Sequence, residues 1–415
     1  MSTDRYRPIQ TKVKHEILSE YLSKWGEIII TGLKDHAKSY EQTGHRFRAR
    51  FAYVDCFANS GLNAPDIGGY EPTLGSAILG VQALDEIRDK AQRIIGFELP
   101  VNSFLIERDK TVYGELLENL VSLGYGPRIR EGLEPFSFRP NDIVLVNDDY
   151  LCHLESLLTF TGKNYTWAFY LLDPYGPMGI PLDAVGQIIS QSKTDVMINF
   201  PFLALQRKSR SAVDEVAAHF RHNQHDDQMY GGSEWRGIAE KYYRDLSAER
   251  RPMMENELIE LYQSNLQEID PKLALKTIRL RFADRDRTMF YLLLTTHDPT
   301  GALALNEILD NAESREYELR EEHKNVVKRK GQLSLFESGM DDPAKPTAKN
   351  PDHTHIANLI YERCKEERIW FREVLRRMCD DPYYYGDIRE AMKILKKDNR
   401  VSYSYLKNSM DVSFS

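Results

Sequence analysis

The residues best equipped for chemistry in this chain stand directly after aliphatic runs. Asp173, Pro174, Tyr175 and Gly176 end the stretch FYLL. In that order the Asp173 carboxylate can accept a hydrogen bond from an exocyclic amine, the Pro174 carbonyl can accept another, and the Tyr175 ring can stack on a flat base. Holding an amine this way aims its lone pair at an electrophilic methyl group, so alignment supplies much of the rate. Residues 55–61 read DCFANSG, small side chains that let backbone approach a ligand closely. Glu107 is positioned to accept from a ribose hydroxyl pair. Asn147, Asp148 and Asp149 can accept from an adenine amino group or cap the next helix. Each cluster also has a plainer reading, because Asp, Pro and Gly are common turn formers and an acid after a strand often caps a helix.

Those clusters need a scaffold that brings strand ends together. AYVDCF (52–57), NSFLIE (102–107), DIVLVN (142–147), WAFYLL and TDVMINF (194–200) are short, apolar and rich in strand formers. Between them LGSAILGVQALDEIRDK (74–90), KTVYGELLENLVSL, LCHLESLL and IPLDAVGQIISQS carry the helical period. Strands interleaved with helices predict parallel β-α-β units with crossovers on both faces. RLRFA (279–283) and TMFYLLLTTH (288–297) are close enough to pair as an antiparallel edge. A helix over 14–30 precedes the first strand, and a charge-dense helix is expected from Glu313 to Lys330.

The polar, proline-bearing GMDDPAKPTAKNP (339–351) reads as a linker, followed by three amphipathic helices and the strand RVSYSYL, the layout of a winged helix. The expected units are a helical extension at 1–50, the α/β domain at 51–312, a charged helix and linker at 313–351, and an α+β winged-helix-like domain at 352–415.

With 415 residues, 41% of them hydrophobic and 28% charged, the chain has material for a sizeable core and for more than one domain. A net charge of -8 argues against coating nucleic acid by bulk charge, so any such contact is local. Cys56, Cys152, Cys364 and Cys379 are widely spaced, which points away from a zinc ribbon or a disulfide framework and toward a reducing, cytoplasmic setting. No signal peptide or membrane span is read from the sequence.

The segments D-x-F-A-x-x-G and D-P-Y-G, on successive strands, resemble a class I S-adenosylmethionine-dependent methyltransferase. The fold this implies is a doubly wound, Rossmann-like α/β sheet. The fourth-strand motif is similar to the D-P-P-Y type of enzymes that methylate exocyclic amines of nucleic-acid bases. More narrowly, KHEILSEYLSKW, YVDCFANSG, FLIERD, FYLLDPYGPMGIP and INFPFLALQR together resemble the three-Cys-motif partner (TcmP) family over most of residues 12–300. The resemblance implies association with a radical-enzyme-like protein bearing three cysteines, and S-adenosyl-L-methionine as cofactor. It assigns Asp55, Phe57, Ala58 and Gly61 to the lining of that cofactor, Glu107 to its ribose and Asp149 to the neighbourhood of its adenine. Asp173, Pro174 and Tyr175 would face the substrate. The family pattern F-A-G-x-G is broken at Asn59, a residue that tolerates left-handed backbone. That departure leaves a second expectation open: an interaction protein of this shape that has lost catalysis and gathers partners.

Outside the sheet, Arg207, Lys208 and Arg210 in QRKSR are placed to track phosphates, and Arg389, Lys393, Lys396, Lys397 and Arg400 make the last helix and wing positive. Both sets have the alternative of a solvated face or a protein contact. Q-L-S-L-F resembles the peptide by which bacterial DNA-associated enzymes dock on the sliding clamp, with Gln332 hydrogen-bonding and Leu333, Leu335 and Phe336 filling apolar pockets. Folding back onto its own domain is the competing expectation. HFRHNQHDD (219–227) lacks a recognised zinc spacing and is assigned no metal. Cys56 and Trp235 are read as core residues.

Overall fold

The computed structural model describes residues 6–43, 48–66, 69–96, 98–134, 138–163, 165–174, 176, 179–201, 224–243, 250–283, 287–329, 351–407 and 410–414. The chain opens with helix α1 (Ile9–Thr43), then strand β1 (Arg50–Asp55), the small hairpin β2 (Leu62–Asn63) and β3 (Thr73–Leu74), and helix α2 (Ser76–Ile95). It continues through β4 (Val101–Ile106), α3 (Lys110–Ser122), β5 (Ile129–Glu131), β6 (Ile143–Val146), α4 (Leu154–Thr161), β7 (Thr166–Leu172), α5 (Leu182–Ile189) and β8 (Thr194–Phe200). Helices α6 (Gln224–Tyr230), α7 (Glu234–Tyr243) and α8 (Arg250–Ile269) precede β9 (Ala274–Arg281), β10 (Thr288–Thr296) and the long helix α9 (Pro299–Arg329).

The result is a mixed α/β fold built on an eight-stranded, mostly parallel sheet in the order β5-β6-β4-β1-β7-β8-β10-β9. Only β10 runs against its neighbours, and it is inserted between β8 and β9. The late strands therefore pair antiparallel, but β9 alone forms that edge. The central strands are buried on both faces, which is why they read as continuous apolar runs.

Alternation divides their side chains between two cores. Phe51, Tyr53, Phe169, Leu171 and Met197 face α1, α2 and α9. Val54, Tyr170, Leu172, Val196 and Ile198 face α4, α5 and α8. Trp25 of α1 meets Phe51 edge-on at 5.3 Å, an arrangement that adds about 0.5–1.5 kcal/mol to the area it buries.

Two helices exceed their expected bounds. Helix α1 runs through the β-branched IIITG because Ile30, Leu33 and Ala37 continue its buried stripe. Helix α9 starts at Pro299, well before Glu313, and passes unbroken across residues 312 and 313. Its start is chemically marked: the Asp298 carboxylate accepts from the N–H groups of Thr300 (2.8 Å) and Gly301 (3.2 Å), and proline suits the first helical position.

From residue 351 onward come α10 (His353–Cys364), β11 (Arg368–Trp370), α11 (Phe371–Met378), α12 (Tyr385–Lys397), β12 (Val401–Ser402) and β13 (Asp411–Phe414). The three strands form an antiparallel sheet ordered β11-β13-β12. Ile356, Ile360, Phe371, Leu375, Ile388 and Leu395 fill a separate core that also takes Leu303 of α9. Asn306 of α9 donates to the carbonyls of Asp381 and Tyr383 at 2.9 and 2.8 Å, and the Tyr384 hydroxyl donates to Asp310 at 2.7 Å. Among the described residues no helix is long and apolar enough to cross a membrane.

Candidate functional site at the carboxyl ends of the central strands

From β1 the chain winds outward to β4, β5 and β6, then returns to build β7 and β8 on the other side of β1. The crossovers so diverge between β1 and β7, where open α/β sheets leave a crevice beyond the strand ends. Register brings the expected acids to that edge. Asp55 pairs with Leu105 on one side and Leu171 on the other, so Glu107 and Asp173 follow within two residues. Strand parity puts Asp55, Glu107, Asp173 and Asn199 on the face covered by α1 and α2.

Asp55 is fully buried and accepts from the Phe57 N–H and the Tyr53 hydroxyl, each at 3.1 Å. Burial pushes its carboxyl up to about 6, with Asp173 adding to the rise, against hydrogen bonds from Ser76, Phe57 and Tyr53 that lower it. Beyond it the chain turns through two left-handed residues, Asn59 (φ 51°) and Gly61 (φ 77°). Asn59 thus keeps the turn a glycine would make, and its Oδ1 accepts from the Ser60 N–H at 2.6 Å. Gly61 is required for space as well as conformation, because a Cβ there would meet Leu116 at 2.9 Å and Ile78 at 3.0 Å.

Glu107 ties two loops. Its Oε2 accepts the Asn59 N–H at 3.0 Å and its Oε1 accepts the Asp109 N–H at 2.8 Å. The cap of α3 is Asp109, two residues later. Asn147 donates to the carbonyls of Glu107 and Arg108. Asp149 accepts from the Leu151 N–H at 3.0 Å and lies 3.5 Å from Arg108, so its capping role is realised.

On the far lip, Phe57 meets Tyr150 edge-on at 5.5 Å, and the Tyr150 hydroxyl donates to the Gly179 carbonyl at 2.8 Å. A Cβ on Gly179 would come within 2.4 Å of Pro174 and 2.7 Å of Phe57, so these three residues close on one another. Pro174 is buried and so is Ala58, whose N–H donates to the Ile106 carbonyl at 2.9 Å.

Asp173 is the acid of the group tied to both α1 and β8. Lys14 of α1 forms an ion pair with its Oδ2, and Asn199 Nδ2 donates to its Oδ1 at 2.6 Å. Burial alone would raise its carboxyl; Lys14 and Asn199 more than offset that and hold it below the usual range. His15, beside Lys14, is buried and driven down to about 3 by desolvation and by the Lys14 charge, so its ring is neutral. Arg7 and Lys12, both bound to Asp66, extend this basic end of α1.

Lys14, His15 and Asn199 were not foreseen as site residues. In the sequence Lys14 and His15 look like the polar side of a helix, and Asn199 like one more strand position. The signal that could have found Asn199 is a polar amide within an otherwise aliphatic buried strand.

Tyr175, Arg207, Lys208, Arg210, Gln332, Leu333, Leu335 and Phe336 lie outside the described residues. In the C-terminal unit, Arg389 lies 5.7 Å from the Tyr385 ring, Lys393 pairs with Glu390 at 2.6 Å, and Lys396 donates to the Tyr403 carbonyl at 2.7 Å. Lys397 is exposed. Trp235 is buried, donating to Asp227 at 2.9 Å, and Cys56 is buried too. Among the described residues no three His, Cys, Asp or Glu side chains are grouped to hold a metal.

No protein-family model matches this chain, and no curated protein does. Among solved structures, a crystal structure of protein LPL1258 from Legionella pneumophila str. Philadelphia 1, associated with family-model DUF519, is similar at 12% identity and a TM-score of 0.35, over 70% of this chain and 85% of that one.

Proposed function

We propose that this chain is an S-adenosylmethionine-dependent methyltransferase that acts on an exocyclic amine of a nucleic-acid base and works with a three-cysteine partner protein. The observation that carries the reading is the gathering of Asp55, Glu107 and Asp173 on one face and one edge of the sheet, at the reversal of strand order. The sheet order and the left-handed turn after β1 support a doubly wound methyltransferase core. The helix, strand, helix, helix, strand, strand succession of the last unit supports a winged helix.

The residues fit the cofactor. The turn at Asn59 and Gly61 offers backbone for close approach, and Phe57 and Ala58 are the residues we assign beside it. Glu107 spends one lone pair on each oxygen, leaving roughly two acceptor sites for a ribose diol. When bound, S-adenosylmethionine supplies an electrophilic methyl group. The protein's task is then to orient an amine: Asp173, kept ionised by Lys14, accepts one of its N–H groups. Arg389, Lys393, Lys396 and Lys397 are the residues we assign to nucleic-acid phosphates, with Arg207, Lys208 and Arg210 as a second strip. Q-L-S-L-F remains our candidate peptide for a sliding clamp.

One observation favours a second reading, a catalytically degenerate interaction protein: Glu107 and Asp173 already have partners from the chain itself. Calorimetry with S-adenosylmethionine discriminates the two. Under the first reading the native chain binds the cofactor, and labelled methyl transfer to DNA or RNA falls roughly 100-fold or more in Asp173→Ala while the variant stays folded. Transfer undiminished in that variant would remove Asp173 from the mechanism. Binding only after Asn59→Gly would establish the second reading.

A further inference from the structure

Beside Asp173, β8 presents Asn199, and half of its amide is unaccounted for. Nδ2 donates to Asp173 Oδ1 at 2.6 Å, and because an ionised carboxylate only accepts, this contact settles which end of the amide is nitrogen. Oδ1 is then left without a hydrogen-bond partner on a residue only 8% exposed. A buried carbonyl in that state carries a desolvation penalty, and such groups in folded proteins call for an explanation. Other orphaned acceptors among the described residues, Asn102 Oδ1 and the hydroxyls of Ser103, Thr166, Thr295, Tyr230 and Tyr262, lie within strands or in the cores, away from Asp173. Of these acceptors, Asn199 Oδ1 is the one that adjoins the acid of the candidate site.

Asp173 has acceptor capacity to spare. A carboxylate offers about four lone-pair sites, and Lys14 and Asn199 take one each. An anionic acceptor and a neutral one therefore lie side by side, joined by a single hydrogen bond. That pairing matches a planar amino group, whose two N–H bonds diverge and need two acceptors. Lys14, already paired with Asp173, offsets the charge of that carboxylate, so the pair offers two acceptors without a full net negative charge; the amine of an aromatic base is the class that the methylation reading supplies.

Resting on the amine-methylation reading, we propose that Asn199 Oδ1 accepts the second N–H of the acceptor's primary amino group. The site would thereby select an aminated heteroaromatic base over a hydroxyl, a carbonyl, or an amine already bearing one methyl. An amine with a single N–H satisfies one acceptor and strands the other, and sites built to hydrogen-bond a group reject analogues that lack it.

The test titrates the full chain with adenosine and cytidine, and with N6-methyladenosine and N4-methylcytidine, following the Asn199 side-chain amide by NMR. The expected result is at least one primary-amino nucleoside bound roughly tenfold tighter than its methylated counterpart, with the Asn199 signal moving. Asn199→Leu should abolish the preference, and the milder Asn199→Ser should reduce it if the leucine variant does not fold. Equal affinities within both pairs, a preference unchanged in a folded variant, or no nucleoside bound would overturn the proposal. Calorimetry with S-adenosylmethionine on the same samples separates the levels. Cofactor binding together with equal nucleoside affinities removes only the role of Asn199; a native chain that binds no cofactor removes the methyltransferase reading and this inference with it.

Discussion

At the scale of single residues, the behaviour of Asp173 is decided by Lys14. A carboxylate at the mouth of a buried strand would drift toward protonation, and a protonated acid is a poorer acceptor for an amine. The ion pair reverses that drift. Lys14→Met keeps the aliphatic stem and deletes the charge, leaving Asp173 without its cation. We expect a loss of about 2 kcal/mol in urea unfolding at neutral pH, below the full value for a deeply buried pair because the Asp173 side chain is 19% exposed. The Asp173 carboxyl should also titrate at higher pH, read from its carbon chemical shift. An unmoved titration would mean that the pair is not formed in solution. Lysine and acid are 159 residues apart in sequence, which is why the spacing of residues near Asp173 held no hint of the contact.

At the scale of elements, α9 joins the sheet to the C-terminal unit, and its first turn is a weak point that substitution can probe. Asp298 caps the helix and also lies 3.3 Å from Arg372 of α11. Asp298→Ala removes a capping acceptor and should cost about 1 kcal/mol, seen as a lower midpoint in chemical denaturation. Asp298→Asn or Ser, which restore a cap without the charge, should recover most of it. If alanine and asparagine were equally destabilising, the ion pair rather than the cap would matter. The start of this helix is legible in D-P-T-G, whereas the charge-dense stretch after Glu313 marks only its second half. The continuation of α1 through IIITG reflects a related conflict. Four β-branched residues in a row, Ile28 to Thr31, favour a strand locally, whereas the buried stripe of Ile30, Leu33 and Ala37 makes the helix win.

At the scale of the whole molecule, buried acids set how stability depends on pH. Asp195 lies at the opposite end of the sheet from the site, fully covered, and accepts from the Tyr21 hydroxyl at 2.7 Å. Desolvation raises its carboxyl from 3.8 to about 7, and Asp55 is raised to about 6 for the same leading reason. Both folded values exceed the unfolded ones, so between about pH 4 and 7 the native state holds more protons than the unfolded chain. Stability therefore falls as pH rises through that window and is level above it with respect to these groups. The rise for Asp195 converts to at most about 4 kcal/mol. Asp195→Asn, which keeps an acceptor for Tyr21, should gain on the native chain from about pH 4 to 7 in denaturant midpoints and then level off. A difference that stays constant across that range would show that Asp195 does not titrate there.

Alternation of aliphatic strands with amphipathic helices was sufficient to determine an α/β fold, because a period of two and a period of 3.6 bury different faces. The same text located the acids Asp55, Glu107 and Asp173 at strand ends, since a strand must stop where polar groups need solvent or a ligand. Neighbours were another matter. Periodicity says which face of an element is buried but not against what, and the insertion of β10 between β8 and β9, the reach of Lys14 over β7 and the half-satisfied amide of Asn199 all depend on which strands adjoin. Those contacts exist only once distant segments have packed, and tertiary structure alone decided them.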